Sequence, residues 1–228
     1  MAIIDAIFGD STLKVRLWIR AIMYIVSALI GIAIAISMGV ARGAFRGNCI
    51  LYGSCNPRGR LLLYIFGSPS HCNFIIGMNA VLTVIIPVGL AIVFILITLK
   101  KLEIDLTQFV MSLGVFVYSV IASLLCIVSA GMATAGYNAW CSTVVTTMKF
   151  IQPGYHWTCE QVPLIFADDP KSEIMYHGPM KAVIGLSWAN VVVWIGICVG
   201  SALAFYASLR MRNSGNGNSD TQTDSRVV

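Results

Sequence analysis

Charged residues are scarce in this chain. Only 11% of its 228 residues are Asp, Glu, Lys or Arg, whereas a soluble domain carries roughly a quarter. So few charges cannot cover a globular surface, and the apolar content of 57% and mean hydropathy of +0.82 agree with this. The net charge is +5, but the basic residues stand in short clusters at the ends of apolar runs. This pattern argues against a nucleic-acid-binding domain and indicates a protein immersed partly in lipid.

Four long apolar runs contain no Asp, Glu, Lys or Arg. Each is longer than the ~20 residues that a helix needs to cross a hydrocarbon core of about 30 Å. Backbone amides in lipid must bond within their own segment, so each run is predicted to be helical. Pumps and coupled transporters normally need an ionisable group in the membrane, so a stand-alone transporter of either kind is not expected. The runs are 21–41, 73–99, 106–148 and 182–209.

Cysteines are missing from one side of the predicted bundle. The distribution of Lys and Arg leans only weakly toward cytoplasmic termini. Cysteine placement decides the orientation, because the two long loops hold five cysteines, whereas the termini and the short turn hold none. Disulfides persist in oxidising compartments, so both long loops are predicted to face the exterior or a lumen. The loop cysteines are Cys49, Cys55, Cys72, Cys141 and Cys159.

The predicted fold class is an all-α membrane protein, a four-transmembrane-helix bundle with two disulfide-braced extracellular loops. The first apolar run is too long for the hydrophobic region of a cleaved signal peptide, so it is expected to remain as an anchor. The predicted segments are a cytoplasmic N-terminus at 1–19, transmembrane helices at 20–42, 74–99, 106–134 and 182–209, extracellular loops at 43–72 and 135–181, a cytoplasmic turn at 100–105 and a disordered cytoplasmic tail at 210–228.

Local features of the helices can also be predicted. Pro87 removes a backbone donor midway along the second helix, so a kink is expected there. Asn79 and Asn190 are expected to hydrogen-bond across helices. Residues 10–12 (Asp-Ser-Thr) indicate a break or a new helix start, which would leave the first residues as an amphipathic surface segment or as a frayed lead-in. The third helix is expected to continue beyond the bilayer through the uncharged residues 135–148.

Small residues recur with a period of four in two of the predicted helices. Such spacing makes a flat groove that lets two backbones approach closely. The simpler interpretation is packing inside the bundle, and the functional alternative is a docking face for a partner. The residues are Gly31, Ala35 and Gly39 in the first helix and Gly196, Gly200 and Ala204 in the fourth.

Catalytic motifs are absent from the sequence. It contains no Gly-x-Ser-x-Gly elbow and no phosphate-binding loop. His156 and Cys159 stand close together, but no second pair has zinc-ligand spacing, so disulfide pairing is preferred over a metal site. The acidic residues of the second long loop are explained by solvation rather than by a lipid-modifying active site. We therefore expect no enzyme activity, no metal and no cofactor.

Several loop motifs resemble those of the transmembrane protein 179 family of four-span proteins. With the four spans, the match covers most of the chain outside its ends. The architecture is also similar to that of claudin-like and calcium-channel γ-type tetraspans, whose exterior loops contact a partner, although their Trp…Gly-Leu-Trp…Cys…Cys signature is absent here. The matching motifs are Phe45-Arg46-Gly47-Asn48-Cys49, Cys72-Asn73-Phe74, Trp140-Cys141-Ser142-Thr143 and Cys159-Glu160.

This resemblance implies a fold and four paired cysteines rather than an activity. It implies that Cys49, Cys72, Cys141 and Cys159 form two bridges, and it leaves open whether these lie within or between the loops. The loops are too small for cores of their own, and each bridge typically stabilises by ~2–4 kcal/mol. Cys55 departs from the family pattern and is predicted to be the odd cysteine, either free or facing lipid.

The leading functional hypothesis is a non-enzymatic accessory subunit of the plasma membrane with both termini in the cytoplasm. It would pack beside a larger membrane protein, such as a channel or receptor, and affect its trafficking or gating. The alternative is a homo-oligomeric pore or a cell-contact protein, in which loop arginines such as Arg42 would bias a pore toward anions. The expected partners are an integral membrane protein or a second copy, and the lipid bilayer. Loop aromatics are common binding anchors, and the candidates are Trp140, Tyr155, Trp157 and Tyr176.

Overall fold

Long helices dominate the computed structural model, which describes residues 2–58, 61–99, 108–162, 165–166, 169–173 and 176–217. The all-α class predicted from the sequence is confirmed. The helices are α1 (Ala2–Ala44), α2 (Pro69–Met78), a π-helical segment (Asn79–Ile85), α3 (Ile86–Thr98), α4 (Gln108–Ile151) and α5 (His177–Gly217). Two antiparallel hairpins pair β1 (Cys49–Arg58) with β2 (Leu61–Gly67) and β3 (Ile165–Phe166) with β4 (Asp169–Glu173).

Four helical stretches are long and apolar enough to cross a membrane, counting only the residues that the structure describes. Their outward faces carry large apolar side chains, such as Leu29 on α1 and Val192 on α5, which are exposed in the protein alone. A face of this kind is stable only against lipid or another protein. The stretches are Leu17–Ala44, Pro69–Ile97, Met111–Ile151 and His177–Tyr206.

The contacts of the chain divide it into two compact units. The first is drawn from Met1–Val26, Pro87–Leu124 and Val192–Val228, and the second from Ser27–Ile86 and Leu125–Val191. Each unit therefore contains pieces of all four long helical stretches.

Aromatic rings hold the first unit together. The Tyr24 ring stacks on Phe94 at 5.9 Å between centroids and meets Trp194 edge-on at 6.2 Å. Tyr118 meets the same indole edge-on at 5.5 Å, so α1, α3, α4 and α5 are joined around Trp194. Such edge-to-face and offset pairs stabilise beyond the apolar area they bury.

Pro87 is the second residue of α3, just after the π-helical segment. Because proline has no amide hydrogen and its ring clashes with the carbonyl four residues earlier, the regular helical ladder cannot pass through it. The amide of Ile86 donates to the carbonyl of Val81, five residues back, which is the π-helical pattern. A widened turn therefore precedes Pro87, and the kink expected at the proline stays a prediction.

The two asparagines that were expected to bond across helices behave differently. Asn190 joins three helices, because its Oδ1 accepts from the Ser27 hydroxyl at 3.1 Å and its Nδ2 donates to the Cys126 sulfur at 3.9 Å. The same prediction is wrong for Asn79, whose Nδ2 donates to the Ile75 carbonyl of its own helix at 2.8 Å. A carbonyl one turn back is within reach of any helical asparagine, and here it satisfies the amide locally.

Two boundary predictions are wrong where the structure describes the chain. Residues 10–12 lie inside the continuous α1, and residues 210–217 of the tail belong to α5. Polar residues lower helix stability by only a fraction of a kcal/mol each, whereas extending an existing helix needs no new nucleus. The remaining tail residues and the 100–105 turn lie outside the described residues. As expected, the third helix continues through residues 135–148, and α4 ends at Ile151.

Candidate interaction site: a disulfide-braced head

The predicted cysteine bridges are present, and both lie within their own loop. Cys49 is joined to Cys72, which ties the start of β1 to α2 with 5.9 Å between the Cα atoms. Cys141 is joined to Cys159, which ties α4 to a 3₁₀ turn at 5.3 Å. We call the surrounding part of the second unit the head, and it consists of residues 45–48, β1, β2, the end of α4 from Trp140 onward, residues 152–162 and Tyr176.

The backbones of β1 and β2 approach each other closely near Gly67, and this contact shapes the hairpin. Gly67 of β2 pairs with Cys49, and the register shifts between Cys49 and Ser54. In this irregular stretch Tyr52 adopts φ +60°. A Cβ atom on Gly67 would stand 1.8 Å from the carbonyl oxygen of Leu51, so only glycine fits there.

Three aromatic side chains form the centre of the head. The Phe45 ring meets Trp140 edge-on at 5.9 Å and Tyr176 at 5.1 Å, and the Trp140 Nε1 donates to the Tyr176 hydroxyl oxygen at 3.3 Å. All three side chains have 0% exposure. The expectation that Trp140 and Tyr176 contact a partner is therefore wrong, because both are core residues. Burial also raises the pKa of Tyr176, which keeps its phenol neutral.

Cys55 is a free thiol inside the head. It is only 4% exposed and belongs to the same apolar cluster as Trp140, so the alternative that it faces lipid is wrong. The hairpin is folded back onto α4, where the Thr147 hydroxyl donates to the Cys55 carbonyl at 2.9 Å. Burial raises the pKa of the Cys55 thiol to about 12, so little reactive thiolate forms at neutral pH.

Arg42 connects the end of α1 to the base of the head. Its Nη1 donates to the Asn73 Oδ1 at 2.7 Å, and its Nε and Nη2 donate to the Gly47 carbonyl at 3.1 and 2.8 Å. Gly47 has φ +86°, a conformation that glycine adopts readily and that brings its carbonyl into reach. The guanidinium is thus engaged in hydrogen bonds within the protein.

The tip of α4 and the segment after it carry exposed aromatic side chains. Phe150 is 76% exposed at the end of the helix, and Tyr155 is 57% exposed beyond the turn. The Tyr155 ring packs against the half-buried Trp157 at 4.6 Å. Nearby, Glu160 pairs with Lys181, and this hydrogen bond lowers the pKa of the carboxyl group. We call residues 149–157 the α4 tip.

The exposure of these aromatic side chains was only partly predictable from the sequence. Tyr155 and Trp157 are candidates because they are loop aromatics; Tyr155 is exposed, whereas Trp157 is half-buried against the core of the head. Phe150 was missed, although its position beside Lys149 at the end of an uncharged run was a usable signal. Tyr52, also exposed, had no sequence signal because the hairpin irregularity that turns it outward depends on strand pairing.

The small helix residues have two different environments. Gly31 packs inside the bundle, since a Cβ there would stand 2.0 Å from the Thr83 Oγ1, whereas the same atom on Gly39 or Gly200 would meet nothing within 4 Å. A Cβ on Gly196 would meet only the Met23 methyl, at 3.2 Å. Ala35 and Ala204 are partly buried. The packing interpretation thus fits Gly31, whereas Gly39 and Gly200 border open space and Gly196 faces the end of the Met23 side chain.

The described residues contain no group of three or more His, Cys, Asp or Glu side chains that could hold a metal ion. The one metal alternative considered from the sequence involved His156 and Cys159. Because the Cys159 sulfur is bonded to Cys141, it is not available as a thiolate ligand beside that histidine.

Four apolar helices combined with two intraloop disulfides define a four-span membrane protein of claudin-like architecture. Residues 16–227 match the family model of the transmembrane protein 179/179B claudin domain. The chain therefore belongs to this family, as its loop motifs suggested. No curated protein and no solved structure is significantly similar to it.

Proposed function

We propose that this protein is a non-enzymatic accessory subunit that packs beside a larger integral membrane protein, a channel or receptor, and affects its trafficking or gating. The observation that carries the proposal is the α4 tip, where Phe150 and Tyr155 are exposed on a braced, aromatic-cored head. Large aromatic side chains on a rigid support are typical anchors of protein interfaces.

The length of α4 supports a head that projects from the membrane. A helix of 44 residues is about 66 Å long, roughly twice the hydrocarbon thickness. The hairpin held against Thr147 has backbone groups along its edges, and such edges are not tolerated in contact with lipid. Phe150 lies beyond Thr147, so its exposed ring faces water or a partner.

Disulfide chemistry supports placing the head outside the cytosol. Two bridges persist where the compartment is oxidising, which for a multi-pass protein means the cell exterior or a lumen. With the head outside, both termini are cytoplasmic. The plasma membrane is the proposed location, because a head outside the cell can meet the exterior domains of channels and receptors.

An impermeant maleimide applied to intact cells tests this orientation. Replacing Gln152, exposed in the turn after α4, with cysteine should give strong labelling. The matched wild-type chain should stay nearly unlabelled, because four cysteines are bridged, Cys55 and Cys126 are buried, and the free Cys198 lies within the His177–Tyr206 stretch that is apolar enough to span the membrane. Labelling of Gln152→Cys only after selective opening of the plasma membrane would place the head in the cytosol and refute the orientation. Labelling only after all membranes are opened would refute the plasma-membrane location.

Purification in native nanodiscs followed by quantitative mass spectrometry tests the accessory role. We expect a stoichiometric integral membrane partner, with recovery reduced roughly ten- to a hundredfold by Phe150→Ser, because a buried Phe contributes about 1.5–3 kcal/mol. Gln152→Ser, in the same turn, is the matched control and should retain the partner. The proposal fails if the wild-type chain purifies without a companion. A fixed homo-oligomer that conducts ions in pure liposomes would instead support the pore alternative.

A further inference from the structure

A cavity of about 150 Å³ lies among α1, α4 and α5 in the first unit. Its wall is mostly apolar, with one charged side chain at its margin. Apolar cavities of this size stay dry and accommodate a molecule such as benzene, which corresponds to roughly six carbon atoms of a hydrocarbon chain. The wall includes Arg20, Met23, Tyr24, Ile197, Gly200 and Ser201.

Glycines keep the α5 side of this cavity open. A Cβ atom on Gly200 would meet nothing within 4 Å, and one on Gly196 would touch only the flexible end of Met23. Gly196 is also exposed on the outer surface of the helix. A larger residue at either position would therefore extend into the space that the cavity occupies.

Arg20 is held at the margin of the cavity. Its Nη2 donates to the carbonyl oxygen of Gly200 at 2.7 Å, and the side chain is half-buried. A guanidinium is a planar group with five N–H donors, whose geometry suits the oxygens of a phosphate. The cavity thus combines a phosphate-binding group with an apolar space for a chain.

The sequence next to the two cavity-lining helix segments is positively charged, as Arg20 is. The Arg20–Gly200 contact places residue 20 of α1 beside residue 200 of α5. In the sequence, basic residues precede residue 20 and follow residue 209, with no acidic residue between them and the apolar runs, and basic segments of this kind attract anionic lipid at the inner leaflet. These residues are Lys14, Arg16, Arg210 and Arg212.

We propose that this cavity binds one anionic phospholipid, with the phosphate and the further negative group of its headgroup against Arg20 and part of one acyl chain in the apolar space. The assignment to the cytoplasmic leaflet rests on the proposed orientation of the head. Binding itself needs no partner protein, so it can fail while the accessory role stands, and the reverse also holds.

Native mass spectrometry of the purified full chain tests the proposal with phosphatidylserine and phosphatidylcholine of identical acyl chains. We expect the wild-type chain to bind one phosphatidylserine at least about tenfold more tightly, since both lipids carry a phosphate but only phosphatidylserine adds a carboxylate, and hydrogen bonds between charged groups are strong. Arg20→Gln should remove the preference for the anionic lipid. Lys149→Gln loses the same charge at the exposed α4 tip, and it should keep the preference.

Further measurements separate the two parts of the site. Gly200→Leu should weaken the binding of phosphatidylserine by filling the cavity, provided that the variant remains monodisperse, and Arg20→Gln serves as the decisive variant if it does not. The short-chain headgroup glycerophosphoserine should bind far more weakly than the lipid. Equal binding of both wild-type lipids, an unchanged preference in Arg20→Gln, or equal binding of the soluble headgroup would each overturn the proposal.

Discussion

Replacing Cys49 with serine should lower the free energy of unfolding by about 2–4 kcal/mol and strongly reduce the amount of protein delivered to the cell surface. The bridge to Cys72 spans 23 residues, so its loss restores conformational freedom to the unfolded loop. Both cysteines are also buried, and the variant would leave a hydroxyl and a thiol in an apolar core. Cys141→Ser and Cys159→Ser should act in the same direction, because their bridge closes 18 residues.

Two other cysteines provide matched controls for this result. Cys126→Ser should have only a mild effect on stability and surface delivery, because a serine hydroxyl can also accept from the Asn190 amide. Cys198→Ser should also be mild, because it removes no bridge. Surface biotinylation reports delivery, and thermal unfolding in detergent with and without reductant reports stability. Equal surface levels for all these variants would show that the bridges do not hold the head together.

Replacing Gly31 with alanine is the second substitution with a large expected effect. The new Cβ would stand 2.0 Å from the Thr83 Oγ1 and 3.1 Å from a Val84 methyl, so α1 and the π-helical segment must separate. Over-packing of this kind typically costs about 1–3 kcal/mol. The Thr83 hydroxyl cannot withdraw freely, because it donates to the Asn79 carbonyl at 2.7 Å.

Gly39→Ala is the control on the same helix, because its Cβ would meet nothing within 4 Å. It should be neutral or slightly stabilising, since alanine favours a helix over glycine by about 1 kcal/mol. Thr83→Ala should partly rescue Gly31→Ala by removing the closest contact. Thermal unfolding of the four single and double variants in one detergent measures the coupling. If Gly31→Ala and Gly39→Ala unfold at the same temperature, the close approach does not exist in solution.

The helices were predictable because hydropathy is a local property of the chain. Each apolar run identifies its own span, and Pro87 identifies the irregular turn in the second. The widening of that turn was not predictable, since the sequence shows which donor is lost but not which carbonyl the neighbouring amides choose. The identity of the bridged cysteines followed from a family resemblance, whereas their pairing depends on how each loop folds.

The structure of the head was less predictable, because an aromatic residue in a loop can belong either to a core or to an interface. Trp140 and Tyr176 have the properties of interface anchors, but the same apolar body and polar edge suit a core in which the two side chains bond to each other. Only the return of the chain from α4 to the start of α5 places them together. For the same reason the exposure of Phe150 depends on where the hairpin stops covering α4.

The arrangement of the aromatic core limits how this head can be exchanged with that of a relative. Phe45, Trp140 and Tyr176 come from three separate stretches, so a chimera that transplants the first loop alone carries one ring and leaves its two neighbours behind. Such a graft replaces a packed junction with a mismatched one, even when its disulfide is intact. Functional chimeras will require both loops and the upper end of α4 to be moved as one piece.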